Sequence, residues 1–248
     1  MQALLAAAGG LAIGLALGLL GGGGSTLTVP LLLALGVAPK PAIALSLGVV
    51  AVTALVALAS HARARNVDWR AAGVLLPATT LGGYAGGRAA AFFSGEALIV
   101  GFALLMAVAG AAMLWPRREA EPEGALRRPA LLAISGAGIG CVTGLVGVGG
   151  GFLFVPALVF AGRLAMRRAV GTSLVAIAGN ATAALLGHLG HVELPLALGA
   201  LVTAAALAGA WLGARLAGRV PERALRRSFG VLVIGVAAWL VWARLSAP

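Results

Sequence analysis

Long apolar stretches constrain this chain more strongly than any other feature. Crossing about 30 Å of hydrocarbon takes about 20 residues of helix, and several stretches approach or exceed that length. Hydrophobic residues make up 61% of the chain and charged residues only 10%. Lipid cannot satisfy backbone hydrogen bonds, so such stretches must form helices. The sequence therefore predicts an all-α polytopic membrane protein, with apolar stretches at Pro41–Ser60, Ala71–Phe93, Ala97–Trp115, Val170–Gly187, Leu194–Ala214 and Phe229–Trp242.

A glycine-rich pattern occurs twice, in Gly18–Pro30 and again in Gly144–Pro156, at an offset of 126 residues. Further along, an offset of 127 pairs Ser46 with Ser173, His61 with His188 and Arg88 with Arg215. Repetition of this kind indicates an internal structural repeat. We predict two homologous transmembrane halves, 1–115 and 129–248, joined by the polar segment 116–128.

The basic residues distinguish two possible topologies. If each half crosses the membrane four times, eight basic residues lie on one side and ten on the other. If each glycine run turns the chain back, all fall on one side except Lys40, Arg88 and Arg244, a split of fifteen to three. Positive loops face the cytoplasm. We therefore predict inverted-topology repeats, with both termini outside and the linker in the cytoplasm.

Each glycine run precedes a short apolar segment, Ser25–Leu35 or Leu153–Ala161. Eleven residues of helix span only about 16 Å, or half a bilayer. A re-entrant helix is the preferred interpretation. A fully spanning hairpin stays open as an alternative, because it leaves every loop on the same side of the membrane. Each half is expected to contain one such Gly-rich broken hairpin plus about three full transmembrane helices, with the two turns meeting near the midplane.

The turns are candidate anion sites because helix N-termini present free N–H groups and a partial positive charge. Glycine lets the backbone approach a ligand closely, although close helix packing explains many membrane glycines. The second short segment has Gly151, Phe152 and Phe154 where the first has hydroxyls, which predicts an asymmetric site. The predicted substrate-binding residues are Gly22, Gly23, Gly24, Ser25, Thr26, Thr28, Ser46, Gly149, Gly150, Gly151, Thr172, Ser173 and Asn180.

The charged residues favour an anion over a cation as the substrate. All seven acidic residues lie in or beside predicted loops, whereas proton relays and cation sites usually place a carboxylate inside a span. Arg88 and Arg215 either guide an anion or extend to the interface. His61 and His188 either couple transport to protons or form hydrogen bonds at span ends.

No cofactor, metal site or catalytic set is predicted, and neither glycine run continues as a nucleotide-binding loop. The net charge of +11 lies in short loops, where it orients the protein in the lipid bilayer rather than binding nucleic acid. The chain is therefore predicted to be neither an enzyme nor a nucleic-acid-binding protein.

An ordered series of motifs resembles the sulfite exporter TauE/SafE family over nearly the whole chain. It consists of the two glycine-rich turns with their prolines, Val67-Asp68-Trp69, Gly82-Gly-Tyr-Ala-Gly-Gly-Arg88, Ala-Val-Gly-Thr-Ser-Leu at 169–174, His188 and Gly209-Ala-Trp-Leu-Gly-Ala-Arg215. One departure is that Leu45 stands in the first half where the second half has Thr172. The resemblance implies a bacterial inner-membrane permease for sulfite, thiosulfate, sulfoacetate or an organosulfonate.

The sequence and the resemblance together predict a secondary, non-ATP transporter of a small sulfur-containing anion. Alternating access would occur around a midplane site between the two turns. Two alternatives remain open: a permease for another small anion such as a carboxylate, and a membrane scaffold subunit of a larger complex. A scaffold has no need of a duplicated broken helix at membrane depth.

Overall fold

The computed structural model describes residues 2–20, 24–114, 129–147, 150–189 and 194–217, and part of the segment 219–239. The predicted linker 116–128 lies outside these residues. Regular structure within the described ranges is helical, with a 3-10 turn at Ala90–Phe92. The α-helices are α1 (Gln2–Leu20), α2 (Ser25–Ala34), α3 (Pro39–Arg63), α4 (Trp69–Ala89), α5 (Gly95–Leu114), α6 (Pro129–Val146), α7 (Gly151–Phe160), α8 (Met166–His188) and α9 (Leu196–Ala217).

Five of the described helices are long and apolar enough to cross a membrane, namely α1, α3, α6, α8 and α9. The prediction of a helical, multi-pass membrane protein is therefore confirmed. Burial differs among these helices: the spans of α3 and α8 are 67% and 72% buried, whereas those of α6 and α9 are each 33% buried. The helices α3 and α8 therefore form the centre of the bundle.

The order of helix lengths repeats along the chain. Helices α1 to α4 contain 19, 10, 25 and 21 residues. Helices α6 to α9 contain 18, 10, 23 and 22 residues. The two short segments expected after the glycine runs are thus present as ten-residue helices, α2 and α7.

Local sequence explains where α2 ends and where α4 begins. Gly36 adopts a left-handed conformation with φ of +83°, and the amide of Val37 donates to the carbonyl of Leu32 at 3.0 Å. This glycine-terminated end is a Schellman motif. Asp68 caps α4, because its carboxylate accepts hydrogen bonds from the backbone amides of Arg70 and Ala71, both at 3.1 Å.

Helix α1 packs along α9, which comes from the other end of the chain. A Cβ atom at Gly14 would lie 1.9 Å from the carbonyl oxygen of Ala206, and one at Gly18 would lie 2.3 Å from that of Ala210. Only glycine permits this backbone contact. Residue numbers rise together along the contact, so α1 and α9 run in the same direction.

Helices α4 and α6 pack in the same manner. A Cβ atom at Gly82 would lie 2.2 Å from the carbonyl oxygen of Ala137, and one at Gly86 would lie 1.9 Å from that of Cys141. These two helices also run in the same direction. The first helix of each half therefore packs on a long helix of the other half, α1 on α9 and α6 on α4, and α4 and α9 occupy equivalent places in the repeat.

The two short helices contact each other, and each also packs on a central helix, α2 on α3 and α7 on α8. One apolar cluster joins the ends of α1 and α6 to α2, α7 and the starts of α3 and α8. Its members include three pairs matched by the sequence repeat, namely Leu20 with Val146, Val29 with Val155, and Ile43 with Val170.

Candidate functional site

The hydroxyl groups of α2 are enclosed by protein. Ser25, Thr26 and Thr28 are each 0% exposed. Thr28 Oγ1 lies 3.4 Å from the carbonyl oxygen of Gly24, one turn earlier. Since α2 packs on α1 and α3 and contacts α7, these three predicted site residues lie inside the helix bundle.

Within the first glycine turn, Gly22 and Gly23 lie outside the described residues, whereas Gly24 is described. Gly24 precedes α2 with an ordinary helical φ of −69°. A Cβ atom there would lie 2.1 Å from the carbonyl oxygen of Ile13. The described part of this turn therefore requires glycine for close packing against α1, not for an unusual backbone angle.

The second glycine turn differs in its backbone. Gly147 and Gly150 both adopt left-handed conformations, with φ of +80° and +84°. Gly150 directly precedes α7, and Gly151 is the first, buried residue of that helix. Gly149 lies outside the described residues. Substitution at either left-handed position would strain the backbone.

Ser46, on central helix α3, reaches the second turn. Its hydroxyl donates to the carbonyl of Ile43 at 2.8 Å and also contacts the carbonyl of Gly147. The matched Ser173 on α8 makes the equivalent hydrogen bond within its own helix, to the carbonyl of Val170 at 2.8 Å. Both serines are fully buried.

Thr172 holds the connection between α3 and α4 against α8. Its Oγ1 accepts a hydrogen bond of 2.9 Å from the backbone amide of Asp68. The carboxylate of Asp68 also lies 3.5 Å from the guanidinium of Arg168. Thr172 is therefore engaged in a structural contact, and the short connection and the start of α8 lie together at one end of the bundle.

Asn180 forms a polar pair next to the second turn. Its Nδ2 donates to Thr143 Oγ1 at 3.0 Å, and this hydroxyl in turn donates to the carbonyl of Ile139 at 2.7 Å. A Cβ atom at Gly150 would lie 2.8 Å from Thr143 Oγ1, so the pair adjoins the turn. The repeat places Leu17 and Thr53 at the corresponding positions of the first half.

The donors around the two turns therefore come from different elements. In the first half the short helix α2 carries them, whereas in the second half the flanking long helices α6 and α8 supply Thr143 and Asn180. The two halves thus differ in which elements carry these polar side chains, whereas the asymmetric site expected from Phe152 and Phe154 stays a prediction. A comparison of the two short segments alone does not reveal that the long helices carry the polar groups in the second half. The asparagine in the middle of an apolar span was a signal for it.

The histidines are buried at the ends of the central helices. His61 Nε2 lies 3.0 Å from the carbonyl oxygen of Gly18, and His188 Nε2 lies 3.1 Å from that of Gly144. Sequence reasoning did not find these acceptors, because any residue provides a backbone carbonyl. His61 and Ser46 are about 22 Å apart along α3 at 1.5 Å per residue, so the two turns contact different parts of that helix.

Arg88 and Arg215 are exposed near the ends of α4 and α9. The guanidinium of Arg215 stacks on Trp211, with 3.7 Å between its central carbon and the ring centroid. This pairing of an arginine with an aromatic ring suits a membrane interface. Neither guanidinium belongs to the buried groups around the turns.

The buried polar side chains of the described residues belong to serine, threonine, asparagine and histidine. The acidic side chains in that part of the chain, Asp68 and Glu96, are not among them. No group of three or more His, Cys, Asp or Glu residues in the described ranges could hold a metal ion. The buried polar side chains of the described residues therefore carry no fixed negative charge.

The fold and this interior define a polytopic helical membrane protein of the transporter class, in which paired short helices follow glycine turns between long helices. The chain belongs to the sulfite exporter TauE/SafE family, whose model matches residues 6–240. The family resemblance proposed from the motifs is thereby confirmed, and the family's description is that of an exporter.

Several relatives support this assignment. The chain is 36% identical to a probable membrane transporter protein of Xylella fastidiosa strain Temecula1, over 94% of this chain and 92% of that protein. It is 26% identical to a probable membrane transporter protein of Haemophilus influenzae, over 76% and 75% of the two chains. A probable membrane transporter protein MamO of Magnetospirillum gryphiswaldense is 31% identical over 48% of this chain and 19% of its own length. No solved structure matches the chain significantly.

Proposed function

We propose that this protein is a secondary transporter of a small sulfur-containing anion, such as sulfite, thiosulfate or an organosulfonate. The observation that carries this proposal is the set of buried hydroxyl and amide groups beside two short helices, with no buried carboxylate among the described residues. A small oxyanion needs such donors and is repelled by fixed negative charge. The family description, a sulfite exporter, supports the choice of sulfur anions.

The site lies, in this proposal, near the midplane between the two turns, along the facing sides of α3 and α8. Ser46 and the Thr143–Asn180 pair border the second turn, and Ser25, Thr26 and Thr28 follow the first. Access alternates as one part of the bundle moves against the other. Ser46 on the central helix α3 contacts Gly147 in the turn of the other half. In this proposal, a movement of one half against the other therefore changes the site directly.

Helix directions support an inverted arrangement of the halves. Helices α1 and α9 run in the same direction, as do α4 and α6. Because only a short connection separates α8 from α9, these two helices run in opposite directions. A Cβ atom at Gly83 would lie 2.3 Å from Asn180 Oδ1, and one at Gly87 would lie 2.4 Å from the carbonyl oxygen of Ala184, so α4 and α8 run together. Helices α1 and α6 are then opposed.

Contacts at the helix ends support the fifteen-to-three split of basic residues. The ion pair of Asp68 with Arg168 joins the α3–α4 connection to the start of α8. If each half crossed the membrane four times, these two regions would lie on opposite sides of the membrane. At the other end, Lys40 Nζ lies 3.5 Å from the carbonyl oxygen of Ala91. The contact of Asp68 with Arg168 agrees with a chain reversal at each glycine run, for which the positive-inside rule puts the linker in the cytoplasm and both termini outside.

A flux assay tests the proposed function. Purified protein in liposomes is expected to move labelled sulfite, thiosulfate or a short organosulfonate down an imposed ion gradient, and a metal cation not at all. We expect Ser46→Ala to reduce the initial rate, since it removes a buried hydroxyl beside the second turn. Thr182→Val is the matched control, because this threonine bonds only back to the carbonyl of Ala178 at 2.8 Å. Selective uptake of a cation would refute the proposal.

A further inference from the structure

The two matched histidines make the same hydrogen bond in each half. His61 lies in the last turn of α3 and His188 in the last turn of α8. Each ring presents Nε2 to a glycine carbonyl, 3.0 Å away at Gly18 and 3.1 Å away at Gly144. Gly18 and Gly144 are themselves matched by the repeat. The rings are only 3% and 5% exposed, so these hydrogen bonds are shielded from solvent.

The acceptor carbonyls need an external donor. Both lie in the final turn of a helix, α1 or α6, where the last four carbonyls have no partner within the helix. In each half the first glycine of the turn follows three residues later, so the helix does not continue to supply donors. An unpaired carbonyl at membrane depth raises the free energy of the folded protein. The hydrogen bond from the histidine pairs one such carbonyl in each half.

Gly18 and Gly144 also lie at close backbone contacts between the two halves. A Cβ atom at Gly18 would lie 2.3 Å from the carbonyl oxygen of Ala210 on α9. One at Gly144 would lie 2.4 Å from that of Gly83 on α4. Each histidine therefore connects a central helix to a pair of helices drawn from both halves, directly before a glycine turn.

The acceptors determine which ring nitrogen carries the hydrogen. A carbonyl oxygen only accepts, so Nε2 must donate in both rings. The other nitrogen of His61, Nδ1, is buried without a hydrogen-bond partner among the described residues. An N–H group at that position would lose its hydration and gain no acceptor. His61 is thus placed as a donor through Nε2, with no arrangement for a second proton.

We propose that His61 and His188 are positioning residues that hold the ends of α1 and α6, and hence the two glycine turns, against α3 and α8. Both act as Nε2–H donors, and His61 does not carry a transported proton. The effect on flux rests on the proposed transport function, whereas the hydrogen bonds themselves do not.

Substitution separates a donor from a proton carrier. Glutamine can place an amide nitrogen near the position of Nε2 but does not titrate, and leucine has a comparable size without a donor. We expect His61→Gln and His188→Gln to retain the initial transport rate within about threefold, with an unchanged pH profile, because they keep the hydrogen bond. His61→Leu and His188→Leu should lose roughly tenfold or more, since a buried carbonyl is left unpaired.

A spectroscopic measurement tests the hydrogen bonds without transport. Nitrogen NMR of isotope-labelled histidines in the detergent-solubilised wild-type protein should show the Nε2–H form for His61 and His188, each assigned by its glutamine variant. The protein has three histidines, so the remaining signal belongs to His191. Glutamine variants as inactive as the leucine variants, or an Nδ1–H form at either position, would overturn the proposal. If the wild-type protein moves no sulfur anion but gives the expected spectrum, the proposed function fails and the positioning role stands.

Discussion

Asn180 shows how one polar side chain can be fixed within an apolar bundle. Its amide nitrogen donates to Thr143 Oγ1 at 3.0 Å, and the Thr143 hydroxyl donates a hydrogen bond to the carbonyl of Ile139. Asn180 Oδ1 is buried without a hydrogen-bond partner among the described residues, close to the α-carbons of Gly83 and Gly140. A side chain with one of its two polar atoms already unpaired depends strongly on its remaining partner.

Removal of that partner is expected to destabilise the protein. Thr143→Val leaves the amide nitrogen of Asn180 buried and unpaired, a cost of about 1–3 kcal/mol. Thermal unfolding in detergent should therefore show a lower Tm for Thr143→Val than for wild type. The control is Thr203→Val, because the Thr203 hydroxyl bonds only the carbonyl of Gly199 in its own helix, at 2.7 Å. Equal Tm values for the two variants would contradict the assigned role of Thr143.

At the scale of helices, small residues decide which elements pack together. Along α4, Gly82 and Gly86 face α6, whereas Gly83 and Gly87 face α8. Four glycines thus give one helix two backbone-close neighbours. In membranes such contacts are a main source of helix association, because lipid removes the hydrophobic drive.

Two glycines of α4 provide a matched comparison. A Cβ atom at Gly86 would lie 1.9 Å from the carbonyl oxygen of Cys141, whereas one at Gly73 would have no atom within 4 Å. We expect Gly86→Ala to reduce the fraction of protein that stays monodisperse after heating, since the backbones of α4 and α6 must separate. Gly73→Ala should leave this fraction unchanged or raise it, because alanine favours helix over glycine. Size-exclusion chromatography after a temperature series measures both, and similar losses would argue against the close contact.

The glycine runs and segment lengths were sufficient to predict the two short helices, expected at Ser25–Leu35 and Leu153–Ala161 and found at Ser25–Ala34 and Gly151–Phe160. The partners of the long helices were not predictable in the same way. Small-residue stripes occur on several helices, and a stripe does not specify its partner. Likewise, the hydrogen-bond acceptors of His61 and His188 are backbone carbonyls. Every residue has such a carbonyl, so the amino-acid sequence does not indicate which one accepts.

For the whole molecule, the open question with the clearest readout is orientation. The fifteen-to-three distribution of basic residues favours the topology in which each glycine run turns the chain back, because positive loops remain in the cytoplasm. The contact of Asp68 with Arg168 favours the same topology, because it joins the α3–α4 connection to the start of α8. We expect a periplasm-active reporter fused after Pro248 to be active. A second fusion placed in the linker 116–128 should be active only as a cytoplasmic reporter. Cytoplasmic activity at the C-terminal fusion would contradict inverted halves.

The packing of α1 against α9 has a consequence for biosynthesis. The ribosome delivers α1 first, yet the helix that covers its glycine stripe is synthesised almost two hundred residues later. Until then Gly14 and Gly18 face lipid or a temporary partner in the insertion machinery. A nascent chain that stops before α9 therefore presents a first helix whose glycine stripe lacks its packing partner. The contact between α1 and α9 can form only after α9 has been inserted, so it is a late step in assembly of the bundle.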